Sequence, residues 1–329
     1  MGAHQQHGHM SDLLIPARPS ASLRSREPAG PATARRILLV AIVASAATLL
    51  VATGGLLVDQ RVIAGAPAWL KPAKFGIAIT AYLITLRWMI GYVRGRGRLL
   101  TVLAIVMSAV FAAETGWIDV QVLRNTTSHF NEATAGDAVA YYAAGGGISL
   151  VFVATIIVAV VLLRQRNWDR GIAAGVRWGL GICVLGMVEA ISMTVNESGG
   201  DSSGGHTVGA ADGGPGMFLT DWSLEHGDLR IAHFVGLHSL QALPVLAFLL
   251  ARLTRLDEAT RVRLLRIAGV GAGSLVLMLW WQAERAQALL RPDALTLTVA
   301  GGLALTCGMT VAAVLAYAGR RTDGVLQRR

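Results

Sequence analysis

Charge is scarce in this sequence. Asp, Glu, Lys and Arg supply 15% of its 329 residues, against about a quarter in soluble domains, and the mean hydropathy is +0.53. That balance excludes an ordinary soluble globular domain. Cysteine is nearly missing: Cys183 and Cys307 both sit inside apolar runs, which excludes a disulfide framework or a cysteine-rich metal centre and leaves two small buried hydrophobes. Lysine is equally rare, with Lys71 and Lys74 the only two among 29 basic residues. No Walker loop, dinucleotide-binding glycine pattern, HExxH or GxSxG elbow occurs.

What is present is apolar length. Runs at 37–58, 73–93, 99–118, 138–163, 178–195, 230–251, 266–283 and 294–318 approach or exceed the roughly 20 residues a helix needs to cross the hydrocarbon core. Lipid offers no partner to an open backbone, so each run must be helical. The sequence predicts an all-α fold, a polytopic membrane helix bundle of about eight transmembrane helices surrounded by membrane lipids. The GGG at 145–147 reads as a close helix contact.

Charge distribution sets the expected orientation. The formal charge of +9 does not indicate nucleic acid, because the basic residues fall in short clusters between apolar runs. With the amino terminus inside, twenty-two of the 29 Lys and Arg face the cytoplasm, and the outside holds Arg61, Lys71, Lys74, Arg124, Arg230, Arg285 and Arg291. Trp69, Trp117, Trp222 and Trp280 then mark the outer boundary, and Trp88, Trp168 and Trp178 the inner one. The expected location is the cytoplasmic (inner) membrane of a bacterium, with both termini cytoplasmic.

Residues 1–34 read as a disordered cytoplasmic tail without a convincing signal-peptide pattern. Its His4, His7 and His9 read as incidental rather than as a metal site. Residues 35–163 form a first four-helix half, 164–319 a second, and 320–329 a cytoplasmic tail. The long outer loop 196–229 opens with ESGGDSSGGHTVGAADGGPG, expected to be mobile. It continues as MFLTDWSLEHGD, expected to lie as a short interfacial helix.

The halves read as a duplication. LKPAKF at 70–75 matches LRIAHF at 229–234, and DAVAYYAAGG at 137–146 matches DALTLTVAGG at 293–302. Spans three and seven each run outward into an arginine, QVLR ending at Arg124 and ALLR at Arg291. Two parallel repeats place ligand sites between the halves, and make Lys74 and His233 equivalent positions that have diverged. Lys71 reads as a headgroup snorkeller.

Ionisable residues inside spans are costly and mark a site by default. Here they are Glu114, Glu189, His233 and His238, with Glu284 at the outer end of span seven and Gln241 and Gln282 as neutral partners. Counted inward, His233 lies roughly 5 Å deep, Glu114 about 6 Å, Glu189 about 9 Å and His238 about 12 Å. All belong to the outer half, and the inner half offers little beyond Arg87. His233 and His238 are five apart and face different neighbours, so one metal held by both from a straight helix is disfavoured; His238 and Gln241 share a face. In the outer segment RNTTSHFN, Arg124 and His129 read as cavity caps or contacts to an anion, or as parts of an ordinary turn. Asp221, Glu225, His226 and Asp228 read as a solvated, capped helix start.

The combination of WLKPAKF, SHFN and HFVGLHSLQALP resembles an uncharacterised family of bacterial multi-pass membrane proteins over spans two to six. That resemblance carries no activity with it. High Ala, Gly and Arg resemble proteins of high-GC bacteria. Three functions stay open. One is a His-centred haem or transition-metal site, with His233 and His238 as ligands, acting on a lipid-soluble or periplasmic small molecule. Another is an ion-coupled carrier. The third is a sensor or assembly factor whose polar groups merely bridge helices.

Overall fold

A computed structural model describes residues 31–165, 169–196, 204–253 and 255–326, the last six by backbone alone. His4, His7, His9 and Trp168 lie outside the described residues. Eight helices follow in order: α1 (Ala32–Val58), α2 (Leu70–Gly91), α3 (Gly97–Leu123), α4 (Ala135–Leu163), α5 (Arg170–Val195), α6 (Leu229–Arg252), α7 (Glu258–Glu284) and α8 (Ala294–Leu326). Each is long and apolar enough to cross a membrane, so the chain has the fold of a multi-pass membrane protein. The strands among the described residues are four, in two small hairpins: β1 (Val62–Ile63) with β2 (Ala66–Pro67), and β3 (Thr207–Val208) with β4 (Gly227–Asp228).

Several helices overrun the apolar runs that announce them. The first begins at Ala32, inside the segment expected to be tail, and α8 continues to Leu326. The third runs on to Leu123, which lifts Gln121 and Arg124 beyond the apolar stretch. Once a helix is nucleated, the hydrogen bond gained by each added residue roughly offsets the entropy of fixing it, so polar ends can extend it.

The segment MFLTDWSLEHGD is not the expected interfacial helix. Gly216 pairs with Ser223 in an antiparallel bridge, and Met217 N–H donates to Trp222 O at 2.8 Å. Asp221 sits in the left-handed region (φ 57°), and Ser223 N–H donates to the Asp228 carboxylate at 2.8 Å. Side-chain-to-backbone bonds of this kind offer the chain an alternative to helix. The preceding Gly/Ser/Asp stretch, from residue 204 on, is likewise a bonded turn, since Asp212 accepts the Thr207 N–H at 2.8 Å and the His206 N–H at 3.2 Å.

Helix pairing follows the same order among α1–α4 as among α5–α8. The first packs along α2 and α5 along α6, α1 also meets α3 as α5 meets α7, and α4 and α8 lie against α3 and α7. One core gathers Leu38, Leu83, Met107 and Leu162; another gathers Ile182, Ala232, Val276 and Leu279. The α5–α6 crossing is the tightest: a Cβ on Gly236 would stand 2.6 Å from Gly186 Cα, and one on Gly179 2.7 Å from Ser239 O. Small residues at this seam let the backbones touch. Of the GGG triplet only Gly147 packs, against Val110 of α3, while Gly145 and Gly146 face open space.

Candidate functional site

Helices α3 and α7 end in the same way. In α3, Thr126 N–H donates to Gln121 O and Asn125 N–H to Val122 O, with Asn125 at φ 57°. In α7, Gln287 N–H donates to Gln282 O and Ala286 N–H to Ala283 O, with Ala286 at φ 53°. This is the Schellman arrangement, in which a left-handed residue lets the last carbonyls find partners. Each end carries Gln-x-x-Arg, and each arginine reaches an aspartate at the start of the next helix. Arg124 binds Asp137 at 2.6 Å, and Arg285 binds Asp293. The arginine placed at the end of α7 as Arg124 is at the end of α3 is therefore Arg285, not the expected Arg291. The apolar run ALL before Arg291 imitates a helix end, but the chain has already left the helix at Ala286.

This cap folds the segment 124–131 back over α3. Gln121 Nε2 donates to Thr127 O at 3.1 Å and to Asp137 at 2.9 Å, and Asn131 Nδ2 donates to Thr127 O at 2.8 Å. Trp117 Nε1 donates to Ser128 O at 3.4 Å. His129 thereby lands on Glu114, with Nε2 at 3.1 Å from Oε1. The approach is at ion-pair distance without hydrogen-bond alignment, and Glu114 Oε1, on a side chain 3% exposed, has no hydrogen-bond partner among the described residues. Burial holds the His129 imidazole below the ordinary histidine range, the Lys71 charge adds to this, and Glu114 opposes it. Phe75 stands 5.5 Å away as a tilted ring neighbour.

A second pair joins α5 and α6. His233 Nδ1 lies 2.8 Å from Gly186 O. A carbonyl only accepts, so Nδ1 carries a proton, and in the neutral ring Nε2 would keep the lone pair. The same Nδ1 is 3.9 Å from Glu189 Oε2. Glu189 is wholly buried and its Oε2 is unpartnered among the described residues, while Ser192 Oγ donates to Glu189 O at 2.6 Å. Two carboxylates, Glu114 of α3 and Glu189 of α5, thus each face a histidine and keep an oxygen without a hydrogen-bond partner among the described residues.

The other expected residues fall nearby or apart. Lys74 Nζ donates to Thr220 O at 2.8 Å. Arg124 is the helix cap already described, not a cavity wall. His238 stacks on Phe234 at 6.4 Å, and Gln241, its amide set by neighbouring carbonyls, donates to His238 O and Leu237 O. Glu284 is exposed and accepts from Trp280 Nε1 at 3.0 Å. Among the described residues no group of three or more His, Cys, Asp and Glu converges to hold a metal ion.

Residues that the sequence marked as structural complete the region. Asp228 caps α6, accepting from Arg230 N–H at 3.1 Å and from its guanidinium at 2.7 Å. The expected capping role holds, but Asp228 is buried rather than solvated. Arg230 also reaches Asp221 at 3.3 Å. Lys71 lies 6.0 Å over the Phe75 ring, and the charges acting on it are Glu114, Lys74, Arg230 and Asp212. Burial, aided by Arg230, pushes the His206 imidazole down to about 4 against the pull of Asp212. The outer pile-up of Lys71 and Lys74 in the sequence was the available signal for this region. No protein family, curated protein or solved structure matches this chain at a significant level.

Proposed function

We propose that this chain is an integral protein of the bacterial cytoplasmic membrane, with both termini inside, that binds a small ligand in the outer half of the bilayer. The candidate groups are the two pairs Glu114–His129 and Glu189–His233, reached from the outside. The observation that carries this reading is the pair of buried carboxylate oxygens left without a partner. Such groups are expensive in a membrane and are kept where function needs them. Each pair can exchange a proton with a lipid-soluble or periplasmic molecule. The apolar inner halves of the helices argue for binding or processing at one face rather than conduction. The two halves are parallel repeats, a reading supported by the matched Schellman ends, the Gln-x-x-Arg caps and the shared pairing order. The expected boundary near residues 163–164 separates them.

A haem or transition metal on His233 is a second reading, favoured by one observation. The Nδ1–H to carbonyl bond orients the ring as second-shell partners orient metal-ligating histidines, leaving Nε2 to bind.

Cysteine accessibility tests the outward placement on which the first reading depends, and loss of proton uptake or ligand binding in Glu114→Gln and Glu189→Gln tests the groups themselves. In a Cys183→Ala/Cys307→Ala background, Lys74→Cys and His129→Cys react with a membrane-impermeant thiol reagent on intact cells, and Arg87→Cys reacts only after permeabilisation. Labelling of Arg87→Cys alone on intact cells removes it. For the second, the purified wild type shows a Soret band or bound metal that His233→Ala loses.

A further inference from the structure

The residue beside His129 stands in a conformation that its side chain disfavours. Phe130 has φ 53°, in the left-handed region where a bulky residue is a genuine outlier. Such a conformation persists only where neighbouring bonds over-determine it, and it clusters at clamps and switches. Here the fixing bonds lie on both sides. Thr127 O accepts from Gln121 and Asn131, Ser128 O accepts from Trp117, and Asn131 Oδ1 accepts the Ala133 N–H at 3.1 Å.

Between those fixed points the two side chains serve different helices. His129 reaches Glu114 of α3, with Nε2 at 3.1 Å from Oε1. Phe130 packs in the cluster of Met193 and Ala190 on α5, Leu229 on α6 and Ala283 on α7, and its ring lies 5.5 Å from that of Tyr141 on α4. The outer loop closes over it. A Cβ on Gly204 would stand 2.8 Å from Met193 O and 2.9 Å from the Phe130 ring, and Gly205 N–H donates to Met193 O at 2.9 Å. Met193 follows Glu189 by four residues and so stands one turn above it on the same face, towards the loop. Adjacent residues therefore attend to the two carboxylates: His129 meets Glu114, and Phe130 packs on the residues that flank the wholly buried Glu189.

We infer that Phe130 is a gate over Glu189, latched shut by the contact of His129 with Glu114, so that one movement of segment 127–131 uncovers both carboxylates. This deepens the reading of the two pairs as a ligand site and rests on it. The left-handed backbone at Phe130 favours opening, because a released segment returns to an ordinary conformation, while the ring contacts and the histidine hold it closed. A ligand that engages Glu114 in place of His129 biases the segment towards the open state, which links occupancy of one carboxylate to access to the other.

The test reads the rate at which a polar methanethiosulfonate labels Met193→Cys in the full-length protein, purified in the Cys183→Ala/Cys307→Ala background. Phe130→Ala raises that rate about tenfold or more, the change in open population that a lost aromatic contact brings. His129→Ala raises it as well, although the ring is kept, because the latch is gone. Phe130→Leu, which retains an apolar plug, changes it least. Ala232→Cys, wholly buried on α6, keeps its slow rate in every variant and reports general loosening. Should Phe130→Ala fail to fold, His129→Ala alone carries the comparison. An unchanged Met193→Cys rate in either folded variant, or equal acceleration at Ala232→Cys, overturns the inference. Binding by Glu114→Gln and Glu189→Gln is measured separately, so a failed gate is distinguishable from a failed site.

Discussion

Two glycines two residues apart on α5 should respond oppositely to one methyl group. A Cβ on Gly179 would sit 2.7 Å from Ser239 O and 3.1 Å from Leu240 Cα. Ordinary contact needs about 3.5–4.0 Å, so α5 and α6 must part by roughly an ångström. A gap of that size forfeits a quarter to a half of each dispersion contact along the seam, and overpacking of this kind costs about 1–3 kcal/mol. Gly181 is exposed, with nothing within 4 Å of a Cβ, so Gly181→Ala gains up to about 1 kcal/mol of helix propensity. Unfolding midpoints of the purified variants in one detergent measure both. Gly179→Ala melting with the wild type, or Gly181→Ala falling as far as Gly179→Ala, would refute the tight crossing. Gly236→Ala applies the same wedge one turn from His233, at 2.6 Å from Gly186 Cα, and should also disturb the His233–Gly186 bond.

Other perturbations separate structural from functional groups. Glu189→Leu removes a buried, half-satisfied carboxylate, so stability is unchanged or rises by about 1–4 kcal/mol while ligand binding is lost; a fall in melting temperature would make Glu189 structural. Arg124→Gln leaves the buried Asp137 (3% exposed) short of its cation and should cost about 1–3 kcal/mol. Its counterpart Arg285→Gln faces the more exposed Asp293 (40%) and should cost under about 1 kcal/mol; equal losses would count against that distinction. His206 titrates near about 4 when folded and near about 6.5 when unfolded. The unfolded chain therefore binds the proton first, and stability falls by up to about 3 kcal/mol as pH drops from about 6.5 towards about 4. His206→Gln should flatten that part of a melting-temperature profile.

Spans were legible in the sequence because lipid enforces length and apolarity on every helix, and α2, α4 and α6 began within a few residues of their expected starts. LKPAKF and LRIAHF suggested a duplication, whereas the matched ends of α3 and α7 were hidden. Asn125 is a familiar left-handed residue, whereas Ala286 adopts the same conformation against its preference, so the second helix end passed unseen and Arg291 took its place. Similarly, MFLTDWSLEHGD has helix-like composition, and only the bonds of Asp228 to Ser223 and Arg230 select a turn.

Composition and periodicity by themselves determined that this chain is a bundle of eight membrane helices, with its costly polar groups crowded towards one face. Those properties are local, since the bilayer tests each segment separately. Which histidine meets which carboxylate was decided by tertiary structure. Glu114 meets His129 because a helix cap folds a loop back, and Glu189 meets His233 because glycines let two backbones touch. Such pairings join residues far apart in the chain, and no single segment's pattern specifies them.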